Sequence, residues 1–255
     1  MISRMACTAS LTSVLVLALV SATSAQPAIP ATCSNATLNG NSGFVVTGTD
    51  SNGPTVIGGQ ITADGKGGFT GVETISDNGN VTADVPVTGT YIVRAGCTGK
   101  GTITPKGGSA SHFNFTIISS GTDVELVITD SGTVESGSAL AQGVPTCTNK
   151  GVQGTYGLQA TGTLLGLGQL VFAGQVKLNQ GVVSGTVSGS LGGSIFTGEK
   201  IDGGAKVGKN CVGKAVVSVN HEPPLHLDLV VVNGGNQIVF VASDSGTVVS
   251  GSLQR

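Results

Sequence analysis

The amino-acid sequence predicts an all-β protein built as two tandem small antiparallel β-barrels. Three observations carry this. A long pattern is written twice, apolar and polar residues alternate over strand-length runs, and no segment after the first 25 residues shows a helical stripe. Composition sets the outer limits. Lys+Arg 12 against Asp+Glu 14 gives a net charge of −2, which excludes the electrostatic footprint of a nucleic-acid or polybasic membrane binder. Charged residues at 10% with a mean hydropathy of +0.30 do not describe a disordered tail. The 42 glycines follow no Gly-x-y period, so collagen is excluded as well.

Met1 to Ala25 reads as a secretory signal peptide. Arg4 opens it, Leu11 to Val20 forms a short apolar run, and Ser21-Ala-Thr-Ser-Ala25 offers small residues for cleavage before Gln26. The run is too short to span a bilayer as a helix. The expectation is a secreted or periplasmic protein with no membrane span after cleavage.

From Cys33 onward the chain repeats itself. Cys33 returns as Cys147, Thr47-Gly-Thr49 as Thr161-Gly-Thr163, Cys97 as Cys211, His112 as His226, and Asp130-Ser-Gly-Thr-Val134 as Asp244-Ser-Gly-Thr-Val248. Each of these offsets is 114 residues, the size of an independent domain and far above a solenoid period; Gly59-Gln60 returns as Gly174-Gln175 at 115, so a local insertion and a compensating deletion lie between the anchors. The expected units are 26–138 and 147–255, joined by a linker at 139–146.

Within each unit, period-two runs lie between turn signals. Phe113, Phe115 and Ile117 share one face, while His112, Asn114 and Thr116 share the other. Val124 to Ile128, Leu227 to Val231 and Ile238 to Phe240 repeat the pattern. Asp64-Gly65, Asp77-Asn-Gly79, Ser120-Gly121 and Asn233-Gly-Gly235 separate such runs. Eight or nine strands in sequential hairpins suggest a meander closed into a barrel. The alternative is a pair of immunoglobulin-like β-sandwiches. That fold wants cysteines in core strands and a Trp between them. Here Cys33 precedes the first strand, Cys97 sits in a Gly-rich turn, and Trp is absent.

Four cysteines in the duplicated region of an exported chain imply two disulfides. Pairing Cys33–Cys97 and Cys147–Cys211, each 64 residues apart, preserves the repeat. The other connectivities would tie the units together. A loop of that length stabilises a domain by up to about 4 kcal/mol in the chain-entropy model.

Motifs for chemistry are missing. There is no Gly-x-Ser-x-Gly elbow, no P-loop and no complete Gly-x-Gly-x-x-Gly. The Asp50 and Asp64 turns lack the further ligands of a calcium loop. No metal and no cofactor is expected, and catalysis is disfavoured. His112 and His226 are the candidates for ligand contact, set against a plainer reading as solvated strand starts. Asp130 and Asp244 are read as structural turn residues whose carboxylates accept N–H groups within the turn. His221 lies in a loop, and Tyr91 and Tyr156 do not correspond between units.

The stretches Gly58-Gly-Gln-Ile-Thr-Ala-Asp-Gly-Lys-Gly-Gly-Phe-Thr-Gly71 and Thr88-Gly-Thr-Tyr-Ile-Val-Arg-Ala-Gly-Cys-Thr-Gly99 resemble exported bacterial β-barrel repeat proteins of unassigned activity. These in turn resemble allene-oxide-cyclase-like barrels of the calycin type. The second unit departs from the pattern, with Leu178-Asn-Gln-Gly181 replacing the Asp-Gly turn and Ala205 at the position of Tyr91. The resemblance implies a small antiparallel barrel with room for an apolar interior, and no cyclase functional residue maps onto this chain.

The sequence reading is therefore an exported, non-catalytic tandem β-domain protein, a binding or surface-interaction module whose ligand and partner are unknown. The alternative is a calycin-like carrier or isomerase acting on a small apolar ligand inside the barrel. An apolar pocket with a convergent polar group favours the alternative; a filled interior with an exposed apolar patch favours the surface module. One further expectation concerns the outer face that carries Glu125 in the first unit and Val239 in the second. The more apolar copy is expected to face the first barrel or a partner.

Overall fold

A sheet with no open edge pairs the backbone groups on both sides of every strand. The computed structural model describes residues 32–144, 146–220 and 222–255, and both repeats meet this condition by closing. The signal segment and His221 lie outside the described residues. The first barrel runs β1 (Asn39–Thr49), β2 (Pro54–Asp64), β3 (Gly68–Asp77), β4 (Asn80–Val93), β5 (Thr98–Pro105), β6 (Ser111–Ile118), β7 (Asp123–Ile128) and β8 (Val134–Ala141). The second runs β9 (Gly154–Leu164), β10 (Gly168–Asn179), β11 (Val182–Leu191), β12 (Ser194–Val207), β13 (Val212–Val219), β14 (Leu225–Val232), β15 (Gln237–Ala242) and β16 (Thr247–Gln254). Each is an up-and-down meander in which the last strand pairs with the first, β1 with β8 and β9 with β16. No helix of the described residues is long and apolar enough to cross a membrane.

β8 continues to Ala141, so residues 139–141 are strand rather than linker. They are needed there, because Ala139 pairs with Phe44 and helps to close the ring. Two disulfides, Cys33–Cys97 and Cys147–Cys211, each join the segment before the first strand to the turn after the fourth. Both barrels also carry a bulge at the same place. Two residues of β4 face one of β3 beyond Glu73, with Asp84 at φ 55°; β12 does the same opposite Val187, with Gly198 at φ 68°. Asp tolerates this left-handed conformation better than most residues, so the two copies share the geometry with different side chains.

The barrels pack through their outer faces. Val45, Val56 and Leu140 of the first meet Val212, Val230, Val232, Val239, Val241 and Val248 of the second. Glycines let the sheets approach. A Cβ at Gly58 would stand 2.6 Å from Val241 Cγ1, and one at Gly43 would stand 2.8 Å from methyls of Val230 and Val232. Around this apolar strip, Gln60 Nε2 donates to the Asn210 carbonyl at 2.7 Å, and the Thr74 hydroxyl donates to Asp228 Oδ2 at 2.6 Å. Lys214 Nζ bridges Asp84 and Asp228, 3.1 Å from each. Backbone bonds from Gly234 to the Gln142 carbonyl and from Gly246 to the Gly79 carbonyl complete the seam.

Val239 thus faces the first barrel, and a charge there would be buried without a partner. Val239→Glu is expected to leave both barrels folded and speed hydrogen exchange at the Gly234 and Gly246 amides by about tenfold or more. Exchange at those amides matching the parent protein would refute the packing role.

Candidate functional site

Residues directly paired across an antiparallel ladder point to the same face, so the register shows what lies inside each barrel. Along one rung of the first barrel stand Ala139, Phe44, Gly59, Glu73 and Val85. The matching rung of the second is Leu253, Leu158, Gly174, Val187 and Glu199. One site in this ring is therefore a buried acid in one copy and a buried valine in the other. The second copy's own acid, Glu199, is one strand further round and half-exposed.

The interiors differ in more than that rung. The first barrel contains an apolar cavity of about 120 Å³, and the second one of about 50 Å³. The larger cavity has an aromatic cluster and several small residues in its lining. Phe69, Tyr91, Phe113 and Phe115 form the cluster, with neighbouring ring centroids 5.9 to 6.5 Å apart. The small residues are Ser42, Ala63, Ala139 and Ala141, with Ala63 paired to Phe69 and Ala139 to a fifth aromatic, Phe44. The Tyr91 hydroxyl donates to the carbonyls of Asn35 and Leu38, at 3.2 and 2.7 Å, which anchors the ring and holds the turn at Asn35–Thr37 beside the mouth.

The mouth itself separates the copies. It is rimmed by Asn39, Asn41, Ser42 and Thr122. Ser42 and Ala141 pair across β1 and β8 at this end. Their repeat mates are Tyr156 and Arg255. Tyr156 is buried, its hydroxyl donates to the carbonyls of Val152 and Gly235, and the Arg255 guanidinium lies 4.8 Å over its ring. Arg255 also donates to the Gln153 carbonyl at 2.6 Å. A ring and a guanidinium stand in the second barrel where the first has a hydroxymethyl and a methyl. Tyr91 takes the other side of the same end in the first barrel, where the second has Ala205, so each tyrosine fills part of that end and satisfies its hydroxyl on carbonyls.

Acids line the inner face below the cavity. Burial pushes the Glu73 carboxyl up to about 7, since a low-dielectric interior disfavours its charged form. At the end opposite the mouth, one rung holds Glu135, Gly48, Thr55, Asp77 and Asn80. Burial, and then the nearby carboxylates Asp50, Asp77 and Asp130, raise Glu135 as well. Asn52 donates to Asp77 Oδ2 at 2.7 Å, while Asp77 Oδ1 is buried without a partner. No group of residues able to hold a metal ion occurs among the described residues.

His112 and His226 lie outside the barrels, at the starts of β6 and β14. Asp130 accepts the His112 backbone N–H and meets its Nδ1, both at 2.7 Å; Asp244 treats His226 likewise at 2.5 and 2.8 Å. The carboxylates therefore reach across to the neighbouring strand, instead of accepting N–H groups of their own turn. Within the turn it is the Asp carbonyl that accepts, from the Thr133 or Thr247 hydroxyl. The bonds from His112 hold Asp130 below the usual carboxylate range. Neither pair touches the cavity. Sequence reasoning passed over Ser42, Ala141 and Glu73, although aligning the repeats would have exposed all three as mismatches with Tyr156, Arg255 and Val187.

No family model matches the chain, and no curated protein matches it. Among solved structures it is similar to one described as the crystal structure of CghA with Sch210972. The identity is 9% and the TM-score 0.29, over 84% of this chain and 88% of that one. A likeness of that size carries no argument.

Glu73 makes stability depend on pH. The folded state holds its proton more tightly than the unfolded chain does, where the ordinary value is 4.5. The associated stability is fully present below about 4.5 and is lost as pH rises through about 7. Denaturant titrations at pH 5 and pH 8 should differ by about 3 kcal/mol from this group, with a smaller contribution of the same sign from Glu135. Glu73→Gln should remove most of the difference. An unchanged difference in that variant would overturn the assignment.

Proposed function

We propose that the chain is a binding protein of the carrier kind, whose first barrel holds a small apolar molecule and whose second, more fully packed barrel is a buttress. The supporting observation is the contrast at one pair of positions. Ser42 and Ala141 stand at the mouth of an apolar cavity of about 120 Å³, whereas Tyr156 and Arg255 take their places in the second barrel, whose cavity is about 50 Å³. A cavity near the size that admits benzene stays dry when its walls are apolar, so an apolar solute gains by entering it. This favours the carrier reading over a surface-interaction module. The other repeated polar groups, His112–Asp130 and His226–Asp244, are committed to holding strand starts.

Export belongs to the same proposal. The leader at 1–25, the two disulfides and the lack of a membrane-length helix among the described residues are consistent with an oxidising compartment. Protein recovered outside the cytoplasm should begin at Gln26 on N-terminal sequencing. A retained leader would refute cleavage.

Ligand entry is tested by calorimetry with n-alkanols from butanol to octanol. Affinity should rise about fourfold per methylene, the equivalent of about 0.8 kcal/mol, until the cavity is full. Ser42→Tyr, which copies the second barrel's residue, should abolish binding without loss of stability. No binding to the parent protein, or binding unaffected by that substitution, would sink the reading.

A further inference from the structure

Within the barrel read above as the ligand site stands a carboxyl that the protein leaves unpaired. Glu73 is 3% exposed and has no hydrogen-bond or ion-pair partner among the described residues. It shares its rung with Phe44, which lines the cavity, and Gly59 stands between them. Along β3, Gly71 separates it from Phe69, another wall residue. Glu73 is not itself among the residues that line the cavity, and on these strands only glycines lie between it and the space bounded by Ile61 and Phe69.

The groups around Glu73 decide what it can receive. β2 presents Ile57, Gly59 and Ile61 inward, and β4 presents Val85, Val87 and Tyr91. The other inward titratable groups are Asp77 on β3 and Glu135 on β8, both acids. The nearest lysine across the bulge, Lys214, belongs to the second barrel and is held outside by Asp84 and Asp228. Beyond the cavity the barrel interior is thus acidic and has no inward cation among the described residues, and the cavity is walled by aromatic faces that attract cations.

We propose that the first barrel takes a small primary amine, with its ammonium group on Glu73 and its hydrocarbon chain along the aromatic wall toward the mouth. This deepens the carrier reading and rests on it. A neutral ligand would leave the buried acid as the protein alone leaves it. An ammonium forms a charge-assisted hydrogen bond where charge is poorly screened, and so compensates the desolvation of both groups.

The probes are n-pentylamine and n-pentanol, equal in length and different only in the head group, titrated calorimetrically into the disulfide-bonded protein. At pH 8 the amine should bind at least about tenfold more tightly than the alcohol. Glu73 goes from about a tenth to about nine-tenths ionised between pH 6 and pH 8, so amine affinity should rise about tenfold over that range while alcohol affinity stays level. Glu73→Gln should bind the two equally. Glu73→Val, which copies the second barrel, should do the same and guards against a folding defect in the first variant. Equal affinities in the parent protein, or a preference for the amine that persists in Glu73→Gln, would overturn the inference while leaving the carrier reading intact. If the parent bound neither compound, the carrier reading itself would fall, and this inference with it.

Discussion

Closure of an eight-stranded sheet gives a tube whose girth is set by strand number and stagger, so the inward side chains must share a fixed volume. Both repeats have eight strands in the same order, a bulge at the same place and the same closing pairs, so differences in their interiors come chiefly from side chains. In the first barrel the large Phe44, Phe69, Tyr91, Phe113 and Phe115 share the cavity lining with the small Ser42, Ala63, Ala139 and Ala141. The second barrel spreads its volume more evenly. It places Tyr156, Leu178, Leu253 and Arg255 at the positions where the first has its small residues, and it carries Val183, Leu227 and Leu229 where the first has phenylalanines. An uneven distribution leaves a void, and an even one nearly fills the tube.

A void has a structural cost. Unfilled space forfeits packing contacts for the residues that line it. The disulfide works against that loss by restricting the unfolded chain. The interface supplies more, because the outer face of the hollow barrel is braced by the valines of β14, β15 and β16. The more fully packed copy thus supports the copy with the larger cavity, and Gly43 and Gly58 are the positions that let the valines come close.

The architecture was legible because it depends on local period and on duplication. Alternation such as Phe113, Phe115 and Ile117 declares a face without knowledge of the partner strand, and a constant offset places each unit. Reading 139–141 as linker failed because Ala139 and Ala141 carry little hydrophobic signal, and their place in the ladder depends on β1, which is distant in sequence. The same distance hid the reach of Asp130 to His112, since a turn residue read locally gives no sign of a strand that began 18 positions earlier. The cavity was less legible still. It depends on which inward residues face one another across the tube, and no single strand contains that information. The repeat contained part of it, in the contrast of Ser42 with Tyr156 and of Glu73 with Val187.

That last contrast bears on why one barrel alone should bind. A lone carboxyl in an apolar interior is destabilising at neutral pH, and the second copy shows that valine fits the same rung of the same fold. Geometry therefore does not require the acid. Nor does packing, since the glycines beside it, Gly59 and Gly71, have glycine counterparts in Gly174 and Gly185. The small residues at the Ser42 end, the void beside them and the unpaired acid all fall in the same barrel. The proposed ligand, entering from the Ser42 end and meeting Glu73, would account for their occurring together.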